Sequence, residues 1–213
     1  MRILPLGDSA ATIEFGNEIS TELNNESIAL ADHLMGEPFD GMIEAVPAYS
    51  SVTVFYDTTK TAFSNVERQL AEVARTVKGD GKKDIQLIEI PIEISPETSP
   101  DLERIAEFSD LSKGDTIELF LSRAYRVYML GFLPGFAYMG EVDERIAAPR
   151  LETPRTKVTK GSVGIAGKQT GIYPLESPGG WNIIGRTDLK MFDPNADQPC
   201  LLGPGDEVRF VRC

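Results

Sequence analysis

The residues best suited to chemistry lie in one run of 27 residues, from Gly161 to Thr187. Seven of these residues are glycines, which leave backbone N–H groups accessible and allow a ligand to approach the chain closely. Trp181 adds a large apolar surface beside Gly179 and Gly180. The run also contains side chains that donate or accept hydrogen bonds, namely Gln169, Thr170, Tyr173, Ser177 and Asn182.

Such donors suit the binding of an amide, because negative charge builds on the carbonyl oxygen when the amide carbon is attacked. The alternative is a β-barrel with glycine-rich turns and no ligand. The run lacks the GxxxxGK[ST] pattern that cradles phosphates, and no GxGxxG joins a predicted strand to a helix. A P-loop nucleotide site within this chain is therefore unsupported.

A second cluster combines two glycines, one proline and three aromatic residues between Gly131 and Tyr138. Glycine permits a positive φ or a close backbone approach, and proline stiffens a turn. Gly135 and Phe136 are the candidate ligand contacts here. A tight barrel corner with ordinary core aromatics explains the same residues, and on these residues alone it is the favoured explanation.

A third cluster is basic, although the chain as a whole is acidic. Between residues 150 and 168 a single acid, Glu152, stands against five cations. Arginine offers a two-pronged match to carboxylate or phosphate, so this stretch is suited to hold an anionic group. A solvated loop face is an equally good explanation. The five cations are Arg150, Arg155, Lys157, Lys160 and Lys168.

The bulk composition excludes several classes of protein. The net charge of -12 argues against binding to nucleic acid or to an anionic membrane surface. His33 is the one histidine, so we expect no zinc site and no histidine-activated nucleophile. Two cysteines, Cys200 and Cys213, are too few for a disulfide framework. With no signal peptide and no apolar run of membrane-spanning length, we expect a cytoplasmic protein.

The first part of the chain predicts a small sheet with two helices. Alternating apolar residues indicate a hairpin around Gly7-Asp8 and two more strands, from Met42 to Val46 and from Ser51 to Tyr56. Helical spacing follows each pair of strands and stops near Gly36 and near Gly79. We therefore predict a ββαββα domain over residues 1–80.

Residues 78–84, with the sequence KGDGKKD, are polar and without periodicity, so they are the predicted linker. Beyond them the pattern predicts a strand from Ile85 to Ile94 and two short helices with Asp101 and Ser112 as N-caps. After Tyr125, short apolar runs alternate with glycine and proline, which is typical of a closed or nearly closed β-barrel. We predict this second domain over residues 85–213.

The sequence resembles the family of 5-oxoprolinase B subunits, also described as allophanate hydrolase subunit 1 and as inhibitors of a sporulation sensor kinase. The resemblance extends over essentially the whole chain, and the run from Gly161 to Thr187 is its most specific part. The other matching segments are GDSAATIEFG from Gly7, VPAYSSVTVFYD from Val46, YRVYMLGFLPGFAYMG from Tyr125, APRLETPRTKV from Ala148, MFDP from Met191 and PGDEVRF from Pro204.

The resemblance implies an α+β protein, with an N-terminal α/β domain of ferredoxin-like type and a C-terminal cyclophilin-like barrel. It implies a subunit that acts with subunits A and C to open 5-oxo-L-proline to L-glutamate, with ATP used by the assembled complex. The alternatives are an inhibitor of a sensor histidine kinase and an allophanate hydrolase-type subunit. The predicted substrate-binding residues are Gly135, Phe136, Arg150, Arg155, Gln169, Thr170, Tyr173, Ser177, Gly179, Gly180 and Trp181, and no catalytic residue is assigned.

Two positions depart from the family pattern. Relatives typically have Leu-His where this chain has Leu119-Phe120, and phenylalanine has no group that titrates. Either that histidine is structural or the activity of this chain is altered. A smaller departure is Val158-Thr159-Lys160-Gly161 in place of the usual VPAG, which adds a cation and removes a rigid proline.

Overall fold

The structure, a computed structural model, describes residues 1–77, 79 and 85–213. The chain divides into two compact units, Met1–Asp84 and Ile85–Cys213. The predicted linker, residues 78–84, lies outside the described residues apart from Gly79.

The first unit is a four-stranded antiparallel sheet with two helices. Its elements are β1 (Arg2–Pro5), β2 (Ala10–Glu14), α1 (Thr21–Gly36), β3 (Met42–Pro47), β4 (Ser51–Tyr56) and α2 (Phe63–Thr76). The strands lie in the order β1-β2-β4-β3. The element order is the ββαββα that the hydrophobic pattern predicts. It differs from the βαββαβ order of ferredoxin-like folds, so that likeness is limited to four antiparallel strands with two helices.

One core serves both helices of this unit, because alternate residues of the central strands point to the same face. Ile13 of β2 and Val52 of β4 pack there with Leu34 of α1 and Leu70 of α2, and all four are buried. Ser20 caps α1, and its hydroxyl accepts a hydrogen bond from the Leu23 N–H at 3.4 Å. The mixed α/β character predicted for this part of the chain is therefore present.

The second unit is dominated by one seven-stranded sheet, in the order β12-β9-β10-β7-β6-β13-β5. Strands β8 and β11 form a separate pair, and helices α3 and α4 connect β5 to β6. The elements are β5 (Leu87–Ile92), α3 (Leu102–Ser109), α4 (Lys113–Leu121), β6 (Ala124–Leu130), β7 (Ala137–Gly140), β8 (Arg155–Val158), β9 (Ser162–Ala166), β10 (Gln169–Ile172), β11 (Ser177–Gly179), β12 (Asn182–Arg186) and β13 (Glu207–Arg212).

Within the described residues, the two edges of this sheet meet at one residue pair. Just beyond β5, Glu93 donates a backbone hydrogen bond to the Arg186 carbonyl at 2.8 Å and accepts one from the Arg186 N–H at 3.0 Å. A side chain at Gly185 would place its Cβ 2.5 Å from the Ile92 side chain, so glycine allows the edges to approach. The sheet is thus a nearly closed barrel, as the spacing of short strands predicts.

Phe120, the departure from the family pattern, belongs to the core of this barrel. Its ring stacks on Tyr125 and Phe210, with ring centroids 5.0 and 5.1 Å away. The Tyr125 hydroxyl donates to the Phe120 carbonyl oxygen at 2.7 Å. The side chain is 1% exposed, so in this chain the position serves packing.

Candidate functional site

Four rings form a cluster that we call the aromatic wall: Phe136, Tyr138, Tyr173 and Trp181. The Phe136 ring lies at its centre and meets Trp181 and Tyr173 edge to face, with centroids 5.4 and 5.3 Å apart. Tyr138, on β7, is 4.9 Å from the same ring. Edge-to-face pairs of this kind stabilise a core beyond the effect of burial alone. Phe136, Tyr173 and Trp181 are at most 5% exposed, so these rings pack against one another and leave little surface for a ligand.

Glycines make room for these rings. A Cβ at Gly171 would lie 2.9 Å from the Phe136 ring, and a Cβ at Gly179 would lie 2.4 Å from the Tyr173 hydroxyl oxygen. Gly135 has a φ of +80° and is packed against Phe192. Gly180 is the roomier position, since the nearest atom to its Cβ would be 3.6 Å away. The glycine spacing of this region therefore accommodates side chains of the same chain.

The predicted polar contacts are separated by the fold. Thr170 is fully buried, and its hydroxyl donates to the Gly164 carbonyl oxygen at 2.9 Å. Ser177 donates to the Pro178 carbonyl oxygen at 3.1 Å. Gln169 begins β10, opposite Gly140 and Ala166 of the neighbouring strands. Thr170 and Ser177 therefore satisfy backbone groups of the barrel unit, whereas Tyr173 and Trp181 share the aromatic wall.

Arg150 lies over the Trp181 ring of the aromatic wall. Its guanidinium carbon is 5.8 Å from the centroid of the Trp181 ring, within the range of a cation–π contact. Burial raises the pKa of Tyr173 and that of Tyr138, although the charge of Arg150 opposes both shifts. Both phenols therefore stay protonated at neutral pH.

Asp101 connects α3 to β12 through its side chain. It occupies the N-cap position of α3 that the sequence predicts, but its carboxylate makes no capping hydrogen bond. One oxygen accepts from the Ile183 N–H at 2.7 Å, and the other accepts from Nη2 of Arg155 at 2.6 Å. The second predicted cap is confirmed, because the Ser112 hydroxyl accepts from the Asp115 N–H at 3.1 Å. Asp101 thus fixes Arg155 from a buried position.

Arg104, one turn along α3 from Asp101, forms a second connection that the sequence analysis missed. It donates to the side-chain oxygen of Asn182 and, at 3.3 Å, to the Pro149 carbonyl oxygen. Asn182 itself donates to the same carbonyl oxygen at 3.0 Å. These bonds hold the residues next to Arg150 and Trp181, so α3 positions both members of the cation–π pair.

A cavity of about 190 Å³, which we call the cationic pocket, lies beside the aromatic wall. Val158 and Ile183 connect the two, since they line the pocket and pack in the core cluster that contains Trp181. The cations at the pocket are Arg155, Lys157 and Arg186, and its hydroxyl groups come from Thr98, Thr159 and Ser162. Glu97 is the acidic residue among the pocket-lining residues.

Of the five cations predicted from the basic stretch, Arg155 and Lys157 line this pocket. Arg150 lies at the aromatic wall, and Lys160 is exposed. Lys168 pairs with Glu144, and the hydrogen bond that its ammonium donates to that carboxylate raises the pKa of Lys168. Arg186 completes the pocket from β12, and its position inside the glycine-rich run is the signal that could have found it.

Across residues 1–77, 79 and 85–213, no group of three His, Cys, Asp or Glu side chains is arranged to hold a metal ion. No described helix is long and apolar enough to cross a membrane.

Three comparisons place the chain among known proteins. Residues 1–202 match the carboxyltransferase domain family, subdomain C and D. The 5-oxoprolinase B subunit of Bacillus subtilis is 42% identical over 99% of this chain and 92% of its own length, and that of Escherichia coli O157:H7 is 38% identical over 97% and 93%. The crystal structure of TTHA0988 superposes with a TM-score of 0.84 at 36% identity and covers 96% of this chain, which spans 40% of TTHA0988.

Proposed function

Because the chain belongs to the family of carboxyltransferase domains, subdomain C and D, we propose that it is the B subunit of an ATP-dependent 5-oxoprolinase. The assembled enzyme opens the lactam of 5-oxo-L-proline to L-glutamate and hydrolyses ATP. The observation that carries this proposal is the 42% identity to a 5-oxoprolinase B subunit over 99% of the chain.

The geometry supports a binding and orienting role for this chain. The cationic pocket supplies positive charge for an anionic small molecule, and the aromatic wall keeps the adjacent structure rigid. Tyr138 and Tyr173 stay protonated, so they suit hydrogen-bond donation rather than proton abstraction. Within the predicted site, Arg150 and Arg155 provide charge, whereas Gly135, Phe136, Gly179 and Gly180 maintain the shape of the surface.

The proposal requires partner chains. In TTHA0988 the equivalent of this chain is 40% of a longer polypeptide, so there it is covalently joined to further sequence. We propose subunits A and C as separate partners that supply the remaining parts of the enzyme. Because the sequence has no P-loop, the use of ATP is assigned to the assembled complex. We further propose that the barrel is cyclophilin-like and that the protein acts in the cytoplasm.

Reconstitution tests the proposal. The chain is mixed with subunits A and C of the same organism, and ATP-dependent release of L-glutamate from 5-oxo-L-proline is measured. Omission of this chain should abolish turnover, and unchanged turnover without it would refute the assignment. Allophanate is offered to the same preparation as the competing substrate. Inhibition of a sensor kinase stays a prediction, which a kinase autophosphorylation assay with added protein checks.

A further inference from the structure

The cationic pocket has the size of a small-molecule site. It lies in the barrel unit, where β8 and β12 meet the segment that precedes α3. Its volume of about 190 Å³ exceeds the ~150 Å³ of a cavity known to hold benzene. A ligand with roughly six to ten heavy atoms therefore fits, judged against that cavity.

The pocket is lined by both charged and apolar side chains. Arg155, Lys157 and Arg186 provide positive charge, and the Ser162 hydroxyl lies among them. Val158 and Ile183 present apolar surface from the side of the aromatic wall. Glu97 carries negative charge at the pocket but is exposed to solvent. This combination matches a molecule with an anionic end and a compact apolar body.

Two of the cations, Arg186 and Lys157, make only weak ion pairs with acidic side chains. Nη2 of Arg186 is 3.7 Å from a Glu93 carboxylate oxygen and 3.6 Å from one of Asp188, too far for good hydrogen bonds. Lys157 contacts Glu176 at 2.8 Å, but both side chains are more than half exposed. Exposed pairs of this kind contribute little to stability, so either cation can exchange its partner for a ligand carboxylate at small cost.

Arg155 differs from these two cations. Its Nη2 donates a hydrogen bond to buried Asp101, which fixes the Arg155 side chain at the edge of the cationic pocket. Its Nη1 is buried and finds no hydrogen-bond partner among the described residues. A buried donor without an acceptor is unfavourable, and a nearby anion offsets that cost. Asp101 therefore acts as a positioning residue for the charge of Arg155.

We propose that the cationic pocket binds the carboxylate of a small cyclic carboxylic acid through the guanidinium of Arg186 and the ammonium of Lys157. The ring of the acid packs on Val158 and Ile183. The identity of the acid as 5-oxo-L-proline rests on the proposed function, whereas the recognition of a carboxylate by these two cations does not. Inorganic phosphate is the competing anion, and it is an arm of the test.

The test is a binding titration of the full chain at low ionic strength with three probes: 5-oxo-L-proline, 2-pyrrolidinone and inorganic phosphate. The second probe is the same lactam ring without the carboxylate. We expect 5-oxo-L-proline to bind at least about tenfold more tightly than either of the others, the scale of one well-placed charged contact. R186Q should weaken this binding by about tenfold, and K157Q should weaken it by a smaller factor.

The matched control is R209Q. Arg209 is a barrel arginine on β13, with a similarly loose contact of 3.9 Å to Glu89, and it does not line the pocket. R186Q should also melt within a few degrees of the wild type, because the replaced side chain is 38% exposed. In the reconstituted complex, R186Q should raise KM by about tenfold with kcat nearly unchanged, the signature of a lost binding contact.

Equal binding of 2-pyrrolidinone, tighter binding of phosphate, or unaltered binding by both R186Q and K157Q would overturn the carboxylate assignment. If the complex fails to turn over 5-oxo-L-proline while the chain still binds it in an Arg186-dependent manner, the proposed function is wrong and the pocket assignment stands. If the complex turns over 5-oxo-L-proline and R186Q leaves its KM unaltered, the proposed function stands and the pocket assignment is wrong.

Discussion

The aromatic wall and the cationic pocket lie side by side in the barrel unit, yet they differ in how much of their side-chain surface is available to a ligand. The wall is closed, with Phe136, Tyr173 and Trp181 at most 5% exposed. In the pocket, the side chains of Lys157 and Arg186 are 66% and 38% exposed, and their ion pairs are weak. The contrast indicates that the wall serves folding and the pocket serves binding. Changes in the wall should therefore reduce stability, and changes in the pocket should reduce affinity.

The largest loss of stability is expected from a substitution in the aromatic wall. Phe136→Ala removes the ring that four other aromatic rings contact, and we expect a loss of about 3–5 kcal/mol in the free energy of unfolding. Phe132→Ala is the matched control, because Phe132 contacts the same ring but is 61% exposed. It should cost less than about 1 kcal/mol. Urea unfolding followed by circular dichroism measures both, and equal losses would contradict a closed, structural wall.

The second prediction concerns the connection between α3 and the pocket. Asp101→Asn removes the counter-charge of Arg155, and we expect a loss of about 2–4 kcal/mol in stability, reduced from the fully buried case because Arg155 is one-third exposed. Glu103→Gln, which breaks an exposed pair between α3 and Lys113 of α4, should stay within about 1 kcal/mol of wild type. Thermal melts compare the two variants. A neutral Asp101→Asn would show that Asp101 does not anchor Arg155.

Neighbouring glycines give a sharper comparison within the wall. Gly179→Ala places a Cβ 2.4 Å from the Tyr173 hydroxyl, so we expect a loss of about 1–3 kcal/mol through overpacking. Gly180→Ala meets no atom closer than 3.6 Å and should be close to neutral. Chemical unfolding of both variants checks the difference. A reversed order would mean that the spacing of these glycines serves something other than the Tyr173 ring.

The smallest effect is expected for Tyr173→Phe, at about 0.5–1.5 kcal/mol near neutral pH. Burial raises the pKa of Tyr173 above its ordinary value of 10.0, against the opposing hydrogen bond with the Trp181 backbone. Because the folded-state pKa is the higher one, the neutral phenol stabilises the fold below pH 10, and this contribution is lost as the pH rises through the folded-state pKa. The stability gap between wild type and variant should therefore shrink above pH 10. Parallel pH profiles would contradict this.

Much of the fold was predictable because its signals are local. Alternation and helical spacing indicate the ββαββα order, and the glycine-punctuated short strands indicate the barrel. The likeness to ferredoxin-like folds was wrong in chain order, although the number of strands and helices agrees. At Phe120 a single sequence leaves open whether the position is catalytic or structural, and the stacked rings of Tyr125 and Phe210 explain its role in this chain.

The site was less predictable because its connections are long-range. Asp101 and Arg155 are 54 residues apart, and Arg104 and Asn182 are 78 residues apart. A helical pattern identifies Asp101 as an N-cap, but it contains no information about β12, whose Ile183 N–H donates a hydrogen bond to the Asp101 carboxylate. Likewise, a glycine indicates that something approaches the backbone closely without indicating what. At Gly171 and Gly179 the approaching groups are Phe136 and Tyr173 of the same chain.

The pair of residues that closes the barrel has a dynamic consequence. Glu93 and Arg186 join the sheet edges with two backbone hydrogen bonds, whereas β9 and β10 are paired along four residues. The amides of Glu93 and Arg186 should therefore exchange with deuterium by local opening, at a lower free-energy cost than those of β10. Arg186 also lines the cationic pocket, so a bound ligand that holds its side chain will slow exchange at this junction. Occupancy of the pocket thus becomes visible as protection of the Arg186 amide.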